Sequence, residues 1–168
     1  MRRLVILILL FSGAGQEILA ADSSPKSKTA ARTCTFQDGK QLTVRYELGG
    51  MSKDKELPMD VLWPSNGSPM YLFTQVELSL ANSAIPVGAY SMYVIPGKEH
   101  WTLVINKGVS ASIPYDQQQD LLRAPMQIGQ LGQPANQVKV IFGHVAPKQC
   151  NMRIYYGKTG AWVEFKEK

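Results

Sequence analysis

Side chains that carry chemistry are scarce in this chain. It has only two cysteines and two histidines among 168 residues. They form no His-x-His, His-Glu-x-x-His or Cys-x-x-Cys spacing, so neither a transition-metal site nor a dithiol redox site can be read from the order of residues. Charged residues reach only 18% against 45% apolar, which excludes an intrinsically disordered chain. No glycine repeat exists to build a collagen helix. The only apolar run that approaches membrane-spanning character, Leu4 to Phe11, falls well short of the roughly 20 residues a crossing helix needs. A basic stripe interleaved with aromatics, the mark of a nucleic-acid binder, is also missing. Neither a cofactor nor a metal is expected.

The first 21 residues carry an address. Arg2 and Arg3 precede the apolar Leu4–Phe11 run, and the small residues Ser12-Gly13-Ala14-Gly15 and Ala20-Ala21 follow. That order is the pattern of a secretory signal, with cleavage expected after Ala20 or Ala21, or alternatively near Ala14. The expected protein is exported, to the periplasm or the extracellular medium, with no integral membrane segment after cleavage. Losing Arg2, Arg3 and Glu17 lowers the net charge of +5 by one, so a mildly basic, solvated surface remains. Both thiols, Cys34 and Cys150, survive cleavage, and two thiols in an exported chain predict one structural disulfide. Closing a loop of that length is worth about 4–5 kcal/mol in the chain-entropy description.

Asp22 to Arg32 is polar, contains Pro25 and has no period, so residues 22–32 are expected to be a disordered leader. From residue 33 to 168 the dominant period is two. Leu42, Val44, Tyr46 and Leu48 alternate with Thr43, Arg45 and Glu47, and Asp38-Gly39 before them predicts a hairpin. Ala89–Ile95 and Trp101–Asn106 read as a second hairpin. Further strand-like runs lie at 70–73, 76–80, 124–131, 138–145, 150–156 and 161–166, with Gly157–Gly160 as a connection between the last two. Only Tyr115–Arg123 offers a helical turn. About ten short strands and no crossover helix predict a single-domain, antiparallel all-β sandwich or flattened barrel.

One stretch is distinctive. Ile85-Pro86-x-Gly88-x-Tyr90-Ser91-x-Tyr93-x-Ile95-Pro96-Gly97 is followed by Trp101-Thr102-Leu103-x-x-Asn106-Lys107, then Tyr115-Asp116 and Asp120-x-Leu122-Arg123. With these residues the chain resembles the bacterial domain-of-unknown-function 2911 family over roughly residues 40–165. The resemblance implies an exported all-β domain and no established activity. It also implies a Trp-Arg-x-Gly-Ala-Asn-like segment upstream, where this chain has Trp63-Pro64-Ser65-Asn66-Gly67-Ser68, without the arginine; a site lined by that segment in relatives would be altered here.

The candidate chemistry is sparse. Gly108-Val109-Ser110-Ala111-Ser112 lacks the second glycine of a nucleophile elbow. His144 is in phase with Val138, Val140 and Phe142, which predicts a buried, hydrogen-bonded imidazole, and His100 sits in a turn. Asp116 and Asp120, one turn apart, could serve as acid and base of a carboxylate-dependent hydrolase acting on envelope polysaccharide. The favoured expectation is a non-catalytic module that binds a small polar ligand, a glycan or a peptide. In it Arg123 grips a polar edge, Asp120 orients Arg123, and Trp101 and Tyr115 supply stacking faces. A purely structural or interaction domain is the remaining alternative.

Overall fold

A computed structural model describes residues 29–48, 57–64, 68–110 and 114–168. The signal segment 1–21, residues 22–28 of the expected leader, and Ser65–Gly67 of the divergent Trp63 stretch lie outside the described residues. Nine antiparallel strands form one sheet among the described residues: β1 (Thr29–Thr35), β2 (Gln41–Glu47), β3 (Met70–Thr74), β4 (Leu78–Leu80), β5 (Ser83–Ile85), β6 (Gly88–Ile95), β7 (Trp101–Asn106), β8 (Asp120–Ala146) and β9 (Gln149–Glu167). Their spatial order is β1-β2-β3-β6-β7-β8-β9-β4-β5.

Period-two patterning determines which face of each strand is buried. In β2, Leu42, Val44 and Tyr46 are buried while Gln41, Arg45 and Glu47 are exposed. Leu72 of β3, Met92 of β6, Leu103 of β7, Met126 of β8 and Ile154 of β9 join them in one continuous core. Each such side chain contributes about 1.5–3 kcal/mol on leaving water.

The sheet is strongly curled. Strands in a flat sheet lie about 4.8 Å apart, so β1 and β9, six steps apart in the order, would be roughly 29 Å distant. Instead the Cα atoms of Cys34 in β1 and Cys150 in β9 are 6.4 Å apart and their sulfurs are bonded. The sheet is therefore curled so that β1 lies beside β9, and this single open sheet wraps round its core. The expected disulfide and the all-β antiparallel class are both present.

Four expectations are corrected. Residues 124–131 and 138–145 are not separate strands but parts of the 27-residue β8, which pairs with β7 through Asp120–Met126 and with β9 from Gln127 onward. Likewise Gly157–Gly160 is no hairpin connection; it lies inside the 19-residue β9. Gly132, Pro134 and Gly157 fall where the β8–β9 register shifts, so these turn-forming residues are absorbed as bulges in a long ribbon. The helical turn shrinks to a 3-10 turn at Gln117–Gln119, because Asp120–Arg123 pair with β7. Finally, Thr29–Arg32 are not leader: they pair with Val44–Glu47 in the β1–β2 hairpin.

Candidate functional site

β6 and β7 are buried on both faces near one end. Trp101, Leu103 and Ile105 point into the core. On the opposite face Ser91, Tyr93, Val104 and Asn106 are buried as well, although Tyr93 and Val104 are not part of the core cluster. The chain after residue 114 covers them, with the Tyr115 ring edge-on to Tyr93 at 5.1 Å between centroids. The candidate site is this small covered patch.

A β-bulge sets its geometry. Ile105 pairs with Leu122, but Asn106 pairs with Asp120, so β8 gains an extra residue at Leu121. In a regular strand Asp120 and Arg123, three apart, would face opposite sides. The bulge brings both onto the face of Asn106, and Arg123 Nε donates to Asp120 Oδ2 at 2.8 Å. The expected pairing is therefore present, produced by a bulge rather than a helical turn.

Around Asp120 the donors converge. Its Oδ1 accepts from Asn106 Nδ2 at 2.9 Å and from the Tyr115 hydroxyl, which lies 2.9 Å from Oδ1 and 2.8 Å from Oδ2. The same tyrosine oxygen accepts from Arg123 Nη2 at 2.8 Å. Asn106, only 3% exposed, also donates to the Asp116 carbonyl and accepts from Gly108 N–H, both at 2.8 Å. Asp116 caps the 3-10 turn, its Oδ1 accepting from Gln118 N–H at 2.9 Å and its Oδ2 from Gln119 Nε2 at 3.3 Å. Burial, and then the bond to the Asp120 carboxylate, raises the Tyr115 pKa above the usual tyrosine value. Burial raises that of Tyr93. The Asp120 bond raises that of Arg123.

Beside this network lies a shallow recess with room for about one water molecule, roughly 10 Å³, lined by Tyr93, Asn106, Gly108, Pro114, Tyr115, Asp116, Gln119 and others. Of the residues chosen from sequence, Tyr115 and Asp116 line it. Asp120 and Arg123 stand behind Tyr115 and fix its position. Trp101 does not join them: it is 3% exposed, points into the core and begins β7 five residues before Asn106, roughly 17 Å along the strand. Alternation explains this, since odd and even positions of β7 serve opposite faces. Tyr93, Gly108, Pro114 and Gln119 also line the recess, and their sequence neighbourhoods carry no binding motif. The visible signal for that face was Tyr93, which shares the parity of Ser91 and Asn106 across the hairpin.

His144 is also corrected: it is exposed, not buried, and its ring lies beside the disulfide. Trp63, the described start of the divergent segment, pairs with Val94 and meets Tyr156 edge-on at 5.7 Å, away from the recess.

Asn106, Tyr115, Asp120 and Arg123 are scattered along the sequence and meet in one network. The family described as Protein of unknown function (DUF2911) matches residues 24–165. The chain belongs to this family. No curated protein and no solved structure matches it. The DUF2911 match covers β1 to β8 and all but the last two residues of β9, so the bulge, the network and the recess lie within the family domain.

Proposed function

We propose that this protein is an exported, non-catalytic binding module. The recess beside Tyr93 and Tyr115 receives one polar group of a glycan or peptide lying across the surface. The carrying observation is the convergence of Asn106, Tyr115, Asp120 and Arg123 behind a recess with aromatic and polar walls. The recess has room for about one water molecule, roughly 10 Å³, so it cannot enclose a whole small molecule and favours an extended ligand that enters with a single polar group. The arginine side chain, 38% exposed, keeps a guanidinium edge in reach of such a ligand.

The partners of the two carboxylates favour this reading over hydrolysis. Asp120 is enclosed by three donor side chains, and Asp116 is spent on capping the 3-10 turn. A general acid or base must turn a carboxylate oxygen toward the substrate, and the oxygens of both aspartates are engaged by the chain's own donors. Export is supported by the disulfide, which persists in oxidising compartments.

A purely structural role is favoured by one observation: the Asn106 amide and both Asp120 oxygens are engaged inside the chain. Backbone NMR titration of residues 22–168 with neutral and acidic oligosaccharides and short peptides separates the two readings. Binding moves the amides of Tyr93, Gly108, Tyr115 and Gln119, and Arg123→Ala weakens the response severalfold. Absence of any response there from every ligand class leaves the structural reading in place.

A further inference from the structure

We infer that the Cys34–Cys150 bridge conceals a zinc site, which forms with His144 when the disulfide is reduced. Cys34 Sγ lies 3.5 Å from His144 Nε2. His144 and Cys150 are directly opposed in the β8–β9 ladder, while Cys34 comes from β1, which lies beside them. Ligand atoms from all three residues lie within 4.8 Å of one another. Among the described residues, this is the group of histidine, cysteine and acidic side chains close enough to hold an ion.

The spacing suits tetrahedral zinc. Bonds of about 2.3 Å to sulfur and 2.0–2.1 Å to nitrogen require S···N near 3.6 Å and S···S near 3.8 Å. The Cys34 Sγ–His144 Nε2 separation of 3.5 Å is already close to that value. The sulfurs reach theirs once the covalent bond between them is gone, by small rotations of the two side chains. In the oxidised protein neither sulfur is a thiolate, so no cation of this class is held.

Charge selects the ion. Cys34 is 2% exposed and Cys150 fully buried, so two thiolates there need a full neutralising charge. A divalent soft-to-borderline cation supplies it, whereas a monovalent one would leave a buried net negative charge. The exposed edge of His144 leaves the fourth position open to water.

Opening the site takes two electrons and two protons. A dithiol can deliver them, becoming a disulfide itself as the S–S bond breaks and two thiols form. Zinc then replaces both thiol protons, which are released to solvent. No single stretch of sequence reveals this set, because each ligand comes from a different strand.

The test uses residues 22–168 reduced with a phosphine, which ends as phosphine oxide with oxygen taken from water. Zinc is titrated against a chromophoric chelator, and circular dichroism is recorded with and without metal. One equivalent is expected to bind to the reduced protein and none to the oxidised one. His144→Ala is expected to weaken binding at least tenfold, and Co2+ in the reduced protein to give a tetrahedral thiolate spectrum. If reduction unfolds the chain, zinc is expected to restore the β-sheet signal in the native sequence and not in His144→Ala. Failure of the reduced protein to take up zinc, an unfolded reduced chain that zinc does not restore, or equal affinity in His144→Ala each overturns the inference.

Discussion

The Tyr115 hydroxyl donates to the Asp120 carboxylate at 2.8 Å and accepts from Arg123 Nη2 at the same distance, so one oxygen links an anion to a cation. The Asp120 side chain is 12% exposed, whereas that of Arg123 is 38% exposed. The two ends of the bridge should therefore respond differently to removal.

Asp120→Asn is expected to destabilise the protein by about 1.5–3 kcal/mol, since it removes charge-assisted bonds and turns an amide donor toward the Asn106 amide. Arg123→Ala is expected to cost about 0.5–1 kcal/mol, because water already screens its exposed guanidinium. Urea unfolding of the two variants checks both values. Equal losses would mean that the carboxylate does not organise the site.

Tyr93 and Tyr115 both have pKa values raised above the ordinary tyrosine value near 10, chiefly by burial. A raised folded-state pKa means the native protein holds the phenolic proton more tightly than the unfolded chain. Its contribution to stability is fully present below about pH 10 and is lost as pH rises through the folded values. Stability is expected to fall above about pH 10, and Tyr115→Phe to flatten part of that slope. Denaturant midpoints from pH 8 to 11.5 give the measurement, with a parallel slope in Tyr115→Phe as the contrary result.

Gly160 lies beneath an aromatic ring: a Cβ there would sit 3.0 Å from two ring carbons of Tyr155 and 3.3 Å from Leu131 Cδ2. Gly132 has no neighbour within 4 Å of the same added atom. Gly160→Ala is expected to cost about 1–3 kcal/mol, as the ring must move aside. Gly132→Ala is expected to be neutral or slightly stabilising, through loss of unfolded-chain freedom. Thermal melts of the pair test how tightly the β8–β9 ribbon is packed.

Much of the sheet was legible because alternation is a local signal. The β6–β7 hairpin and the Leu42–Tyr46 face follow directly from which residues repeat every second position. Two features were hidden for one physical reason: they depend on a partner strand. Gly157–Gly160 read as a connection in isolation, yet Gly157, Thr159 and Gly160 are held in a ribbon by the chain opposite them. Helical spacing relates Asp120 to Arg123 in the sequence, whereas in the fold it is the extra residue at Leu121 that brings them together. Trp101 was misplaced because an aromatic on a strand is equally suited to a core, and only its parity with Leu103 and Ile105 decides the matter. His144 kept its phase with Phe142, but phase does not report where a ribbon runs past the edge of its core.

The bond between the opening strand and the closing one also sets a clock on maturation. Cys34 leaves the ribosome 116 residues ahead of Cys150, so its sulfur must wait, unpaired, until almost the whole chain has followed. During that interval no intramolecular cysteine is there to capture it, and a wrong pairing within the chain is impossible. Only another molecule's thiol could intervene, which makes dilution during oxidation the condition for a product free of disulfides between molecules.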